Sequence, residues 1–296
     1  MASAKEIKSR INSIQDTMKI TSAMYMISSS KLKRARKVLA DTEPYFYALQ
    51  SAIGRVLRHV PDIEHKYFDE RSHIAPEDRK IGYIVVSADK GLAGAYNHNV
   101  FKLAEKGMDS GSHVQLFVLG EVGRQYFSRQ HKDVDTTFRY TVQKPTMHRA
   151  RVISEKMIAL YLEGKLDEVY IVYTRMANAA TMVAEKQQLL PLKKASFHTP
   201  AQVLVDIHQE EIEMVPSAEE VLSSIVPNYL RGMIYGCLVE SYASEHNSRM
   251  MAMDAATSSA KDMLKDLSIK YNRVRQAAIT QEITEVIGGA KAQKKK

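Results

Sequence analysis

KEIKSRINSIQDTMKITSAMYMISSSKLKRA, residues 5–35, places Ile7, Ile11, Ile14, Met18, Thr21, Tyr25, Ser28, Leu32 and Ala35 at alternating steps of four and three, and Leu39 continues the series. That 3.5-residue period keeps one seam on one side of a helix and calls for a partner helix along it. The far end of the chain repeats the pattern through Met250, Met253, Thr257, Ala260, Leu264, Leu267, Tyr271, Val274 and Ala278. Two seams at opposite ends are satisfied most simply if the chain folds back and they meet. The expected frame is a long antiparallel coiled coil with the intervening residues at its base.

Those intervening residues have a different period. IGYIVVS (81–87), HVQLFVLG (113–120) and EVYIVYT (168–174) are short, nearly continuous apolar runs of the kind that suits strands buried on both faces. Helical segments are expected between them, near 97–106, 121–130 and 146–162, with Pro145-Thr146 opening the last. Strand and helix in alternation predict an α/β layer. Strands at Met182 to Leu190 and Val203 to Val215 would close an edge. The resulting organisation is an N-terminal coiled-coil helix (1–60), a linker (61–79), an α/β domain (80–215) and a C-terminal coiled-coil helix (216–296). Pro44 is expected to break the first helix after about Ala40, with helix resuming from Tyr45 to Leu57. Prolines and charges mark 61–79 as a linker. Ser217, with Glu220 three residues later, predicts the start of the last helix, and Pro227 a kink or restart. That helix should then run to Gly288-Gly289. Gly232 and Gly236 inside it suggest the close approach of another backbone.

Composition narrows the function classes. The chain has 296 residues, a net charge of +8 and one cysteine, Cys237. No apolar run is long enough for a transmembrane helix, and the N-terminus already belongs to the heptad pattern rather than to a signal or transit peptide. A single cysteine fits a reducing compartment and a packed structural thiol. Residues 1–40 hold nine cationic residues against two carboxylates, a net of +7. Charge concentrated on the element that bears the seam points to an acidic protein partner, with a solvated helix face as the plain alternative. The basic run Lys291 to Lys296 reads as a tail.

No G-x-x-x-x-G-K-[ST] loop is present, and SADKGLAGAYN (87–97) lacks the G-x-G-x-x-G spacing, so it reads as a structural strand-to-helix turn. The ten histidines are scattered, and no metal set or catalytic constellation can be assigned. No catalytic residue, cofactor site or metal site is expected.

The N-terminal stretch 5–35, the central SADKGLAGAYN, RMMAMDAAT (249–257) and ITQEITEVIGGA (279–290) keep the order and spacing of the gamma subunits of bacterial F-type rotary ATP synthases, which this chain strongly resembles. The central signature departs at Ala93 and Ala95, where the family usually has Cys and Gly, and the dithiol insertion of chloroplast members is missing. The resemblance implies α/β plus long helices: terminal helices in an antiparallel coiled coil, with a central Rossmann-like α/β domain as the foot. It implies a non-catalytic central-stalk rotor that couples proton flow through the membrane sector to ATP synthesis or hydrolysis on an alpha-beta hexamer. Further implied partners are the epsilon subunit and the c-subunit ring, at the cytoplasmic face of the cell membrane. By match to the family's motifs, Arg249, Gln276, Thr280 and Glu282 are candidate beta-subunit contacts. Met24 belongs with Met26, Ala277, Ala278, Ile279, Val286 and Ile287 to a smooth apolar tip surface. Lys19, Lys31, Lys33 and Arg34 could attract an acidic lever loop of beta.

Two other classes compete. A coiled-coil scaffold or nucleic-acid adaptor would use the basic arm, but that arm lacks aromatic interleaving and a DNA-binding motif. A small-molecule enzyme would use the α/β layer, but its fingerprint is missing. No nucleic-acid partner is expected. Co-purifying species separate the three.

Overall fold

The computed structural model describes residues 3–108, 113–197 and 213–293. In chain order the elements are α1 (Ala4–His59), β1 (Lys80–Val86), α2 (Tyr96–Met108), β2 (His113–Leu119), α3 (Glu121–Arg129), α4 (Met147–Leu162), β3 (Glu168–Met176), β4 (Met182–Leu190) and α5 (Ala218–Gln293). They divide into two compact units: residues 1–28 with 249–296, and residues 29–248.

The first unit is the coil. A reciprocal cap opens α1: the Ser3 amide donates to Glu6 Oε2 at 2.9 Å, and the Glu6 amide to Ser3 Oγ at 3.2 Å. Between residues 254 and 290, the side chains withdrawn from solvent are Thr257, Ala260, Leu264, Leu267, Tyr271 and Val274, all seam positions. On α1, Ile7, Thr21 and Ser28 are buried and Ile11, Ile14 and Met18 half-buried, as the period requires, whereas Tyr25, also counted on the seam, is exposed. Thr21 Oγ1 and Thr257 Oγ1 share a 2.8 Å hydrogen bond, and each hydroxyl also donates to or lies against its own helix carbonyl. A polar layer of this kind fixes the register of an otherwise apolar seam. The seam ends earlier than expected, because Ala278 is exposed.

The second unit is built on a four-stranded sheet in the order β2-β1-β3-β4, parallel except for β4 at the edge. Six of the seven β1 residues are buried, as a strand covered on both faces must be. Tyr83, Val85, Leu116 and Val118 pack against Val100, Phe101 and Phe127 of α2 and α3. Phe117, pointing the opposite way from Leu116, meets Phe138 edge-on at 5.4 Å. Thr146 caps α4 by accepting from the Arg149 amide at 3.2 Å, and Ser217 accepts from the Glu220 amide at 3.2 Å at the start of α5.

Several expectations are corrected. α1 does not break at Pro44: it is one helix through residue 59. Pro44 removes the donor to the carbonyl of Ala40, but Ala40 is exposed and water can take that place. α5 likewise passes through Pro227, held by Val226 and Leu230 in the core, and through Gly288-Gly289 to Gln293. Glycine weakens a helix by only ~1 kcal/mol per residue, which is not enough to end one. The 61–79 stretch is packed, with Ile63, Tyr67 and Phe68 buried and Phe68 edge-on to Phe197. Most of the expected strand Val203 to Val215 lies outside the described residues.

The paired glycines behave differently from each other. A Cβ on Gly236 would meet nothing within 4 Å. One on Gly232 would lie 2.0 Å from the Phe46 ring of α1, a side chain rather than a backbone. Gly232→Ala is therefore expected to destabilise by ~1–3 kcal/mol through overpacking. Phe46→Leu in the same chain should recover part of the loss in thermal unfolding, while Gly236→Ala should be neutral or stabilising.

Candidate functional site

The strand-to-helix turn at 87–97 is held by its own chain. Ser87 Oγ donates to the Leu119 carbonyl at 2.7 Å and accepts from the Gly123 amide at 3.0 Å. A Cβ on Gly123 would sit 2.5 Å from that Oγ, so glycine is needed for this approach of α3 to β1. Asp89 accepts from the Glu121 amide at 3.2 Å and the Val142 amide at 3.2 Å, and also from the Thr141 hydroxyl. A carboxylate of the chain thus occupies the anion-attracting first turn of α3. The Ala88 amide donates to Asn97 Oδ1 at 2.9 Å, which ties the turn to α2.

One residue of this turn was not singled out from sequence. Leu92 has φ 63° and is 65% exposed, a bulky side chain in the left-handed region presented to solvent. A leucine between Gly91 and a small residue in a tight turn is the signal that could have found it. Ala93 is buried with Ala88 and Tyr96, while Ala95 is exposed.

The candidate contacts do not form one cluster. Gln276, Thr280 and Glu282 lie on the last stretch of α5, where every residue from 275 to 290 is exposed. Thr280 Oγ1 donates to the Gln276 carbonyl at 2.9 Å. On the same stretch Ile279, Ile283, Val286 and Ile287 are exposed at the spacing of one helical stripe. Arg249 is different: it is buried within the chain, so the reading of it as an open contact handle is corrected. Met24 is half-buried beside the exposed Met26. Lys19 is exposed and bridges Asp16 at 3.0 Å, a surface pair of little energetic weight. Lys31 is half-buried and Lys33 and Arg34 are exposed, and these three belong to the α/β unit rather than to the coil.

Cys237 is buried, with Sγ 3.6 Å from Gln187 Oε1. Burial first, and then the Glu240 carboxylate, push its thiol well above the ordinary range. A protonated, enclosed thiol reacts slowly. We expect Cys237 to resist alkylation in the folded chain and to react on denaturation, and reductant to leave complex activity unchanged. A several-fold redox response abolished by Cys237→Ser would contradict this. Among the described residues no group of three His, Cys, Asp or Glu side chains is placed to hold a metal ion, and no helix is long and apolar enough to cross a membrane.

The family model described as ATP synthase matches residues 3–293. The chain is 45% identical over 289 residues to the ATP synthase gamma chain of Ruminiclostridium cellulolyticum, covering 97% of this chain and 98% of that one. It is 35% identical over 300 residues to the sodium-ion-specific ATP synthase gamma chain of Acetobacterium woodii, covering 97% and 98%. Among solved structures, it is similar to a chain of the central stalk and c-ring of the Tetrahymena thermophila mitochondrial ATP synthase, with a TM-score of 0.57 and 25% identity over 80% of this chain and 99% of that one.

Proposed function

We propose that this chain, which belongs to the ATP synthase gamma-chain family, is the central-stalk rotor of an F-type ATP synthase. It is a non-catalytic subunit of that complex. Its shaft turns within a hexamer of alpha and beta subunits, and its α/β foot meets the epsilon subunit and the c-ring. Rotation couples ion flow through the membrane sector, proton flow in the reading adopted here, to ATP synthesis or hydrolysis on beta. The chain is peripheral, and its bacterial relatives support a position at the cytoplasmic face of the cell membrane.

The observation that carries this reading is the end of α5. Sixteen consecutive helical residues, 275–290, are exposed and carry an apolar stripe that no described residue covers. A lone helix of that length is marginal in water, so a surrounding partner must stabilise it. A close-fitting sleeve also explains why the stripe is aliphatic and free of aromatic rings, since a turning surface must not lock into pockets. Gln276, Thr280 and Glu282 are the polar handles on this stretch, and Lys33 and Arg34 on the foot side supply cationic ones.

Co-expression with alpha and beta tests the proposal. The chain should co-purify in a complex that hydrolyses ATP, and the isolated chain should show no turnover. Turnover by the pure chain, or bound nucleic acid in place of the two larger subunits, would overturn it.

A further inference from the structure

Helix α5 changes character between Ser241 and Asn247. All seven residues are buried, whereas a surface helix buries only a stripe. Seven residues span about 10 Å, or roughly two turns, so the helix is enclosed on every side here. Five of the seven are polar: Ser241, Ser244, Glu245, His246 and Asn247. Polar side chains in such a place are costly unless hydrogen-bonded, and when bonded they select one orientation. Ser241 and Asn247 meet that demand through other elements of the fold. Tyr96 Oη of α2 and Ser241 Oγ share a 2.7 Å hydrogen bond, and the Thr174 amide of β3 lies 3.5 Å from the same Oγ. Six residues on, Asn247 Nδ2 donates to the Ala179 carbonyl at 2.7 Å, in the turn between β3 and β4, and touches Met182 Sδ at 3.0 Å.

We propose that Tyr96, Ser241 and Asn247 are positioning residues that lock α5 against rotation about its own axis within the α/β unit. Apolar ridges alone allow a helix to ratchet past its neighbours by small steps. Directional bonds to two different elements, the α2 start and the β3–β4 turn, do not. The two contacts act about a turn and a half apart on α5, so a twist that relieves one strains the other. In a rotor, torque passing between the foot and α5 must cross this enclosure without slip. The assignment rests on the rotor reading and identifies where that torque is held.

The test uses the whole membrane-bound complex carrying Tyr96→Phe with Ser241→Ala and Asn247→Leu. The first pair removes both partners of one bond while keeping its apolar shape, a change that is nearly neutral for folding. ATP hydrolysis and ion pumping are measured together in inverted vesicles against an increasing gradient, and hydrolysis again after the membrane sector is stripped off. The stripped complex should hydrolyse ATP at the wild-type rate. In vesicles, ions pumped per ATP under full load should fall by about fivefold, the factor that the loss of a hydrogen bond or two imposes on a two-state balance. Wild-type pumping per ATP at full load, or a parallel loss of hydrolysis and pumping, would overturn the lock. If the triple variant does not assemble, Asn247→Leu alone is measured the same way, with a smaller drop in the same ratio expected. Failure of the wild-type chain to join alpha and beta would instead count against the rotor reading itself.

Discussion

In inverted vesicles, a complex carrying Leu264→Pro is expected to make no ATP, while Leu264→Met retains synthesis close to wild type. Leu264 sits on the seam in mid-coil, half-buried, between Ala260 and Leu267. Proline there removes the donor to the carbonyl of Ala260, and its ring clashes with that same turn, a penalty of ~3 kcal/mol or more. It also deletes a packed leucine, so the helix loses its own bond and its grip on α1 together. Methionine keeps the volume and the helix and should cost less than ~1.5 kcal/mol. Removing residues 291–296, well past the last seam position, should leave synthesis nearly intact. ATP formation driven by an imposed ion gradient is the readout. A working Leu264→Pro, or equal losses in the proline and the truncated chains, would contradict a stiff coil.

Arg71→Leu is expected to destabilise the α/β unit by ~3–5 kcal/mol, the penalty for breaking a buried ion pair by removing one partner. Arg71 Nη1 donates to Asp167 Oδ1 at 2.6 Å and to the Leu166 carbonyl at 2.9 Å, and Nη2 donates to the Tyr161 carbonyl at 2.5 Å. Its guanidinium stacks 4.4 Å from the Tyr161 ring centroid. Both charged side chains are largely enclosed, at 14% and 6% exposure. Burial pushes the Asp167 carboxyl upward, but the Lys80 amide and the Arg71 guanidinium outweigh it, so the folded value lies below the ordinary one. A depressed carboxylate stabilises the fold above its unfolded value of about 3.9, and that contribution is lost as pH falls through the folded value. The wild-type chain should therefore lose melting temperature as pH drops below about 4. Arg71→Leu should melt lower at neutral pH, with a flatter acid limb. An unchanged melting temperature at neutral pH would contradict the assignment.

The coil was legible in the sequence because the heptad period depends on one-dimensional spacing alone. Ile7 and Ala260 are buried where the count puts them. The strands were legible for a similar reason, since continuous apolar runs such as 81–87 have no solvent face. Breaks and sites were less legible. Pro44 and Gly288-Gly289 carry local penalties of the right sign, but residues on either side hold the helix, and one local penalty does not outweigh many helical bonds. The 61–79 stretch looked like a linker because its anchoring residue is a charged one, Arg71, whose acceptors lie about ninety residues away. Arg249 read as a surface handle because burial of a cation cannot be inferred from its identity. The lock at Tyr96, Ser241 and Asn247 was invisible for the same reason: three ordinary polar residues gain meaning only when α2, α5 and the β3–β4 turn are brought together.

Observation of rotation tests the rotor assignment most directly. The complex of alpha, beta and this chain would be immobilised through the hexamer, with a bead on a cysteine at exposed Lys102 in α2, in a Cys237→Ser background. On addition of ATP the bead should turn in one direction, in steps, at a rate that follows ATP turnover, and stop when ATP is removed. A bead that stays still while the same molecules hydrolyse ATP at full rate would contradict the assignment.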